Sequence, residues 1–366
     1  MGYPQIPLSN PMSFWRPVSD RMLDRVNVLD YLPYRLVHDI RAGQCDADLS
    51  NWLVDASRAG GPGSEVWFPP GRYYASMIPT FADQMIRGSG RGTIMVRNTA
   101  DPVFVPDDWL RNNTHIKRGP VIRDMAISNG ATSPGGFAIL NLSYDDRFER
   151  LTLDGLGICL TARTQSGAFA NHGQTGNHRF GDLTVRNSPD GAIYNAAVDK
   201  VTDCPDDGFV WNNCGSATRA ALETATLSGW TIIRGAAFLC PGTIIRSGKT
   251  QNVLVSSCNL DFDCTDPQDG GNVAIEIESN GVGVISITGN ALRIDGTDPE
   301  KSYTMVSLKG GDVTVPLAHV GNGYSVKTSI SGSNVVAAAC DAPMSGARGP
   351  NGYNGFTGEQ IGNVEP

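Results

Sequence analysis

Between about residues 118 and 335 the chain is written in short strand-like runs that come in pairs, with almost no helical period. First members read RDMAIS (123–128), ERLTLDG (149–155), GDLTVRN (181–187), SCNLDFD (257–263) and SITGNALRI (286–294). Second members read GFAILNL (136–142), GICLTA (157–162), GAIYNAA (191–197), GFVWNN (208–213), GAAFLC (235–240), VAIEIES (273–279) and TMVSLKG (304–310). First members return roughly every 26–40 residues, a repeat of structure rather than of identity. Three turns before second members share one chemistry: Ser188-Pro189-Asp190-Gly191, Pro205-Asp206-Asp207-Gly208 and Pro267-Gln268-Asp269-Gly270. Asp-Gly tolerates positive φ, so these are corners first.

A unit of this kind stacks on its neighbours along one axis. The pattern predicts an all-β fold, a right-handed single-stranded parallel β-helix with inward Leu, Ile, Val and Phe. A β-propeller needs four strands in ~40–50 residues and an aromatic motif per blade. The chain offers about two strands per repeat and no such motif.

The rest of the chain frames this body. Residues 1–45 read as an N-terminal extension in which RVNVLDYL (25–32) is one strand-like run. Residues 46–117 open with a helix expected over 46–60, capped by Asp46 or Asp48, with Leu49, Trp52, Leu53 and Ala56 on one face. It stops at Ala59-Gly60-Gly61. Strands EVWFPPGRYY (65–74) and MIRGSGRGTIMV (85–96) follow, and the GSGRG at 88–92 reads as a turn because no Lys-Ser/Thr helix follows it. The body is expected over 118–340. The tail 341–366, with six glycines in its run, is expected to be disordered or docked on the solenoid or a partner subunit.

The net charge of −8 disfavours nucleic acid and anionic membranes as partners, and no run approaches the roughly 18 apolar residues of a membrane span. The N-terminal MGYPQIPLSNPMSFWRP has neither the basic start nor the apolar stretch of a secretory signal. None of the eight cysteines forms a CxxC, and no Cys/His group has zinc spacing. Most are expected to be free and buried, with Cys204–Cys214 and Cys258–Cys264 the pairs that could bridge. No cofactor is expected; Asp-rich corners leave Ca²⁺ possible without requiring it.

The segment DRMLDRVNVLDYL, the helix DADLSNWLVDASRAGG, the strand VWFPPGRYY and the turn MIRGSGRGTIMV occur in one order. Together they resemble the start of the pectate-lyase-like β-helix superfamily, in the branch of phage tailspike polysaccharide depolymerases. There a "VNVKDFG"-like strand precedes a capping helix, a "VYFPPGTY" strand and an "IRGEGRGT" turn. The close match covers about 20–96, and this chain lacks a fully matching "DFGA-GDG" segment. The resemblance implies a carbohydrate-active enzyme, a homotrimer with parallel axes, and a virion-associated or extracellular location.

Chemistry on a polysaccharide needs a groove, paired carboxylates or a base, and apolar faces for sugar rings. In VAIEIES, alternation puts Ile275 and Ile277 on one face and Glu276 and Glu278 on the other. In CNLDFD, Asp261 and Asp263 alternate with Leu260 and Phe262, giving a second outward pair. Asp206 and Asp207 are the third candidates. Each pair also reads simply as solvated surface charge or corner chemistry. For a lyase, the NHGQTGNHR run supplies His172, His178 and Arg179, but no carboxylate to orient the imidazoles is evident. Tyr194 and Trp211 occupy matching positions and are sugar platforms if outward, core if inward; shared parity with Phe137/Ile139 favours core. Asn195 and Asn212 also align and suggest an internal Asn ladder.

The leading expectation is a glycoside hydrolase acting inside a bacterial or plant polysaccharide. The alternatives are a polysaccharide lyase on a uronate, a fructotransferase-type cyclisation, and a non-catalytic glycan-binding tail protein.

Overall fold

The computed structural model describes residues 25–110, 118–160 apart from 142 and 144, 175–195, and 201–264 apart from 217. Beyond these it describes residues 273–279, 285–296, 303–309, 315–320, 323–326, 335–340 and 344–345, and near the N-terminus the short strands Gln5–Ile6 and Arg16–Pro17.

The body is a parallel β-helix. Its strands stack in register into three sheets, and each coil contributes one strand to each. In the first sheet Val66, Ile86, Ile122, Phe148 and Phe180 form one inward column. In the second, Tyr73, Met95, Ile127, Leu153, Val185, Trp211, Ala237 and Leu260 are in register and buried. In the third the column runs Ile139, Ile158, Ile193, Leu222, Ile245, Ile275, Val306. Side chains alternate across each strand, so one set fills a core continuous along the axis while the other faces solvent.

The sequence pattern suggested two strands per repeat; the structure has three. The first and second sheets meet at a corner of a single residue in the left-handed conformation. Successive coils place Asp124 (φ 59°), Arg150 (φ 51°), Asp182 (φ 51°), Gly208 (φ 76°), Arg234 (φ 52°), Ser257 (φ 57°) and Gly289 (φ 63°) there. RDMAIS and ERLTLDG each hide such a corner, so two strands read as one run. Polar contacts follow the corner down the stack: the Arg150 guanidinium donates to both Asp124 carboxylate oxygens, at 2.6 and 3.2 Å.

Core packing matches large to small. Trp211 and Phe209 stack at 4.0 Å, and Trp211 is in register with Ala237. A Cβ on Gly235 would lie 2.0 Å from the Phe209 ring, so only glycine fits there. Cys45, Cys159, Cys214, Cys240 and Cys258 are free and buried, so neither Cys204–Cys214 nor Cys258–Cys264 is bridged.

At the N-terminal end the helix spans Ser50–Gly60, shorter than the expected 46–60. The N-cap is Leu49 rather than Asp46 or Asp48, and the Asp48 carboxylate, one residue before it, accepts the Ser50 N–H at 2.9 Å. Leu53 and Ala56 are buried against the first coil, where the helix packs on Arg25–Asn27, Glu65–Trp67 and Ile78–Thr80. The single run expected over 25–32 divides into the strand Arg25–Asn27 and a 3₁₀ turn, Val28–Tyr31, capped by the Asn27 side chain. A further helix, Tyr34–Arg41, was not evident from the sequence. Leu36, Val37 and Ile40 turn one face to the core, but at eight residues the run is too short to stand out.

Candidate functional site

The outward side of the third sheet changes character along the axis. Towards the N-terminal end Val105, Leu140 and Cys159 are buried beneath Phe137 and Tyr194 in an apolar patch outside the main core. Tyr194 then leads a register column of Glu223, Arg246 and Glu276. An open cleft of about 440 Å³ runs over this column, lined also by Asn195, Thr224, Ser247, Glu278 and Lys309.

The VAIEIES strand, Val273–Ser279, sits as its alternation predicts: Ile275 and Ile277 are buried, Glu276 and Glu278 face the cleft. The two glutamates differ in surroundings. Arg246 Nε donates to Glu276 at 2.9 Å, and Lys309 Nζ donates to its other oxygen. Burial works against ionisation of Glu276, but these hydrogen bonds and charges outweigh it and hold the carboxyl below its ordinary value. Glu276 is therefore a fixed carboxylate. Glu278 is exposed and has no hydrogen bond or ion pair among the described residues. Glu223 accepts from Arg219 Nη1 at 3.3 Å and from the Ala220 N–H at 3.1 Å, with Arg246 Nη1 at 3.6 Å. Chemically, the cleft offers two clamped carboxylates, Glu223 and Glu276, one carboxyl unclaimed among the described residues two positions along from Glu276, and an adjoining apolar patch.

Tyr194 lies in this outer cleft rather than in the core that its parity favoured. Ile193 takes the inward column, which turns the next residue out. One side of its ring stacks on Phe137 at 5.8 Å and 12°, and the Arg219 guanidinium lies 4.2 Å from its centroid. With Phe137 and Arg219 against it, Tyr194 contributes its edge and hydroxyl more than an open platform. Trp211 is fully buried in the second sheet and cannot bind a sugar. Asn195 and Asn212 form no common ladder. Asn195 belongs to the third sheet beside Thr224, whereas Asn212 is in register with Arg186 and Phe238 in the second.

The remaining candidates are dispersed. Asp261 belongs to the second sheet, nearly buried, with Arg293 Nη1 at 3.6 Å, so it does not share the cleft with Glu276. Asp207 pairs with Arg234 beside the first corner. Asp206 is in register with Phe180 and Ile232, but its side chain lies outside the described residues, as do that of Asp263 and the whole of His172. His178 is fully buried, its Nδ1 2.8 Å from both Asp146 oxygens, so it does not meet a substrate. Asp146 is the orienting carboxylate that the sequence did not disclose, because it comes from the preceding coil. Arg179 is exposed on the first sheet, in register with Arg147. Among the described residues no three His, Cys, Asp or Glu side chains gather to hold a metal ion.

No family model and no curated protein matches the sequence. Similar solved structures include Geobacillus virus E2 ORF18, at 12% identity and TM-score 0.45 over 91% of this chain and 64% of that one. The chain thus spans just under two thirds of the viral protein. A tailspike protein mutant of E. coli bacteriophage HK620 in complex with pentasaccharide is 11% identical, with TM-score 0.41 over 92% of this chain and 70% of that one. A family 28 exopolygalacturonase of Yersinia enterocolitica is 10% identical, with TM-score 0.36 over 90% and 79%. All three are parallel β-helix proteins. So is this chain. Among the described residues of this β-helix, no helix is long and apolar enough to cross a membrane.

Proposed function

We propose that the chain is a polysaccharide depolymerase of the glycoside hydrolase type, with the third-sheet cleft as its active site. The observation that carries this reading is Glu278, unpaired among the described residues, beside the clamped Glu276 in an open cleft. Tyr194 adds its ring edge and hydroxyl at the adjoining end of the cleft. Glu278 is the proton donor to the glycosidic oxygen, and Glu276, already ionised, activates water.

A panel of bacterial exopolysaccharides and pectic polymers, read for new reducing ends and for the ultraviolet absorbance of an unsaturated lyase product, tests this. Reducing ends without that absorbance are expected. E278Q should lose about 10²–10⁴-fold in rate while keeping polymer binding. Wild-type activity in E278Q would remove the assignment. A non-catalytic glycan-binding role is the second reading, favoured by the full pairing of Glu223 and Glu276 with cations as a ladder. It predicts binding with no new ends from any polymer. We extend the proposal to a virion-associated or extracellular homotrimer. Light scattering should give three times 39.0 kDa; the mass of one chain at all concentrations would contradict it.

A further inference from the structure

Two successive coils, entered at Arg147 and Arg179, are tied by a run of matched contacts. Outside, the Asn177 side chain donates to Asp145 at 2.8 Å. Inside, His178 and Asp146 make their fully buried hydrogen bond. One step further, Phe148 and Phe180 stack at 5.5 Å. Between these contacts Arg147 and Arg179 stand in register, both exposed. Neighbouring parallel strands lie ~4.8 Å apart, and like charges set side by side across them repel.

Among the described residues neither guanidinium has a hydrogen bond or ion pair. The carboxylates around them are committed elsewhere: Asp145 to Asn177, Asp146 to His178, Glu149 to Arg150 at 3.8 Å, Asp207 to Arg234. The flanking contacts thus fix the two backbones at strand spacing, each carrying an exposed guanidinium that no described residue pairs. A guanidinium fork matches an oxyanion with two parallel hydrogen bonds, and two adjacent forks match one oxyanion approached from both sides. With a net charge of −8 the chain does not attract polyanions at long range, so the pair acts as a local reader.

From this geometry, and resting on the glycan reading above, we infer that Arg147 and Arg179 hold an acidic substituent of the polymer, a carboxylate, sulfate or phosphate group. The site lies on the first sheet, apart from the cleft on the third. It makes the preferred substrate an acidic glycan.

The test compares matched polymers by calorimetry on the full chain: polygalacturonate against its methyl ester, and dextran sulfate against dextran. Wild type should prefer at least one acidic member, and R147Q/R179Q should lose that preference by about 10–100-fold with the neutral members unchanged. R179E, which gives Arg147 an ion-pair partner, should also abolish the preference while melting no lower than wild type. E278Q should retain it. No acidic preference in either pair, or a preference that survives R147Q/R179Q, overturns the inference. So does inorganic phosphate or a DNA oligonucleotide bound as tightly as the acidic glycan. An arginine-dependent preference in a protein that cleaves nothing would sink the enzyme reading and leave this one standing.

Discussion

At the residue scale, what decides each candidate's role is which way a strand faces and what the next coil places beside it. Gly235 shows the sensitivity: its position is filled by the Phe209 ring, which itself stacks on Trp211. G235A is expected to cost about 1–3 kcal/mol by overpacking, read as a lower denaturant midpoint with unchanged slope. A variant as stable as wild type would mean the ring can move aside. The acid pair Glu276 and Glu278 was legible in the sequence because two isoleucines fix the parity of VAIEIES. Tyr194 was not, since Ala192, Ile193 and Asn195 around it are all buried and parity gives no lead. Nor was the partner of His178, which lies 32 residues earlier and arrives only through the coil. Asp261 misled for a different reason. Alternation with Leu260 gives a facing but not a sheet, and this strand belongs to another sheet from Val273–Ser279.

At the scale of elements, the recurring device is the one-residue corner between the first and second sheets. A non-glycine residue in the left-handed conformation costs roughly 1–2 kcal/mol, and glycine gives back part of that through the entropy of the unfolded chain. S257G is therefore expected to gain about 0.5–1 kcal/mol, while S257V should lose more than it gains, because a branched Cβ crowds φ 57°. Paired thermal melts check both, and a destabilised S257G would contradict the corner account. The same device explains the missed strand count. With no loop at the corner, no cluster of Gly, Pro, Asn and Ser marks it, and sequence punctuation is what separates strands on paper. Of the Asp-Gly corners, Gly191 (φ 91°) and Gly208 (φ 76°) take the left-handed region, whereas the corner at 267–270 lies outside the described residues. The capping helix was legible from its apolar spacing, and only its start shifted, to Ser50, whose N–H the Asp48 carboxylate accepts.

At the scale of the molecule, three sheets divide the work. The first carries two register-matched arginines, the second the Asp261–Arg293 pair and an open pocket over Val210, Ala236 and Asn259, and the third the cleft with its carboxylates and apolar patch. A stack of coils gives a long polymer several adjacent contacts without any lid or hinge, because each coil repeats the same outward geometry at strand spacing. Such a surface reads a polymer by register along the axis. The central claim is that the polymer lies along the third sheet. Amide hydrogen exchange on E278Q, with and without a polymer that wild type cleaves, tests it most directly. The account predicts added protection in Ile245–Thr250 and Val273–Ser279, with Asn259–Cys264 of the second sheet unchanged. Protection of Asn259–Cys264 with the third sheet unaffected would contradict it.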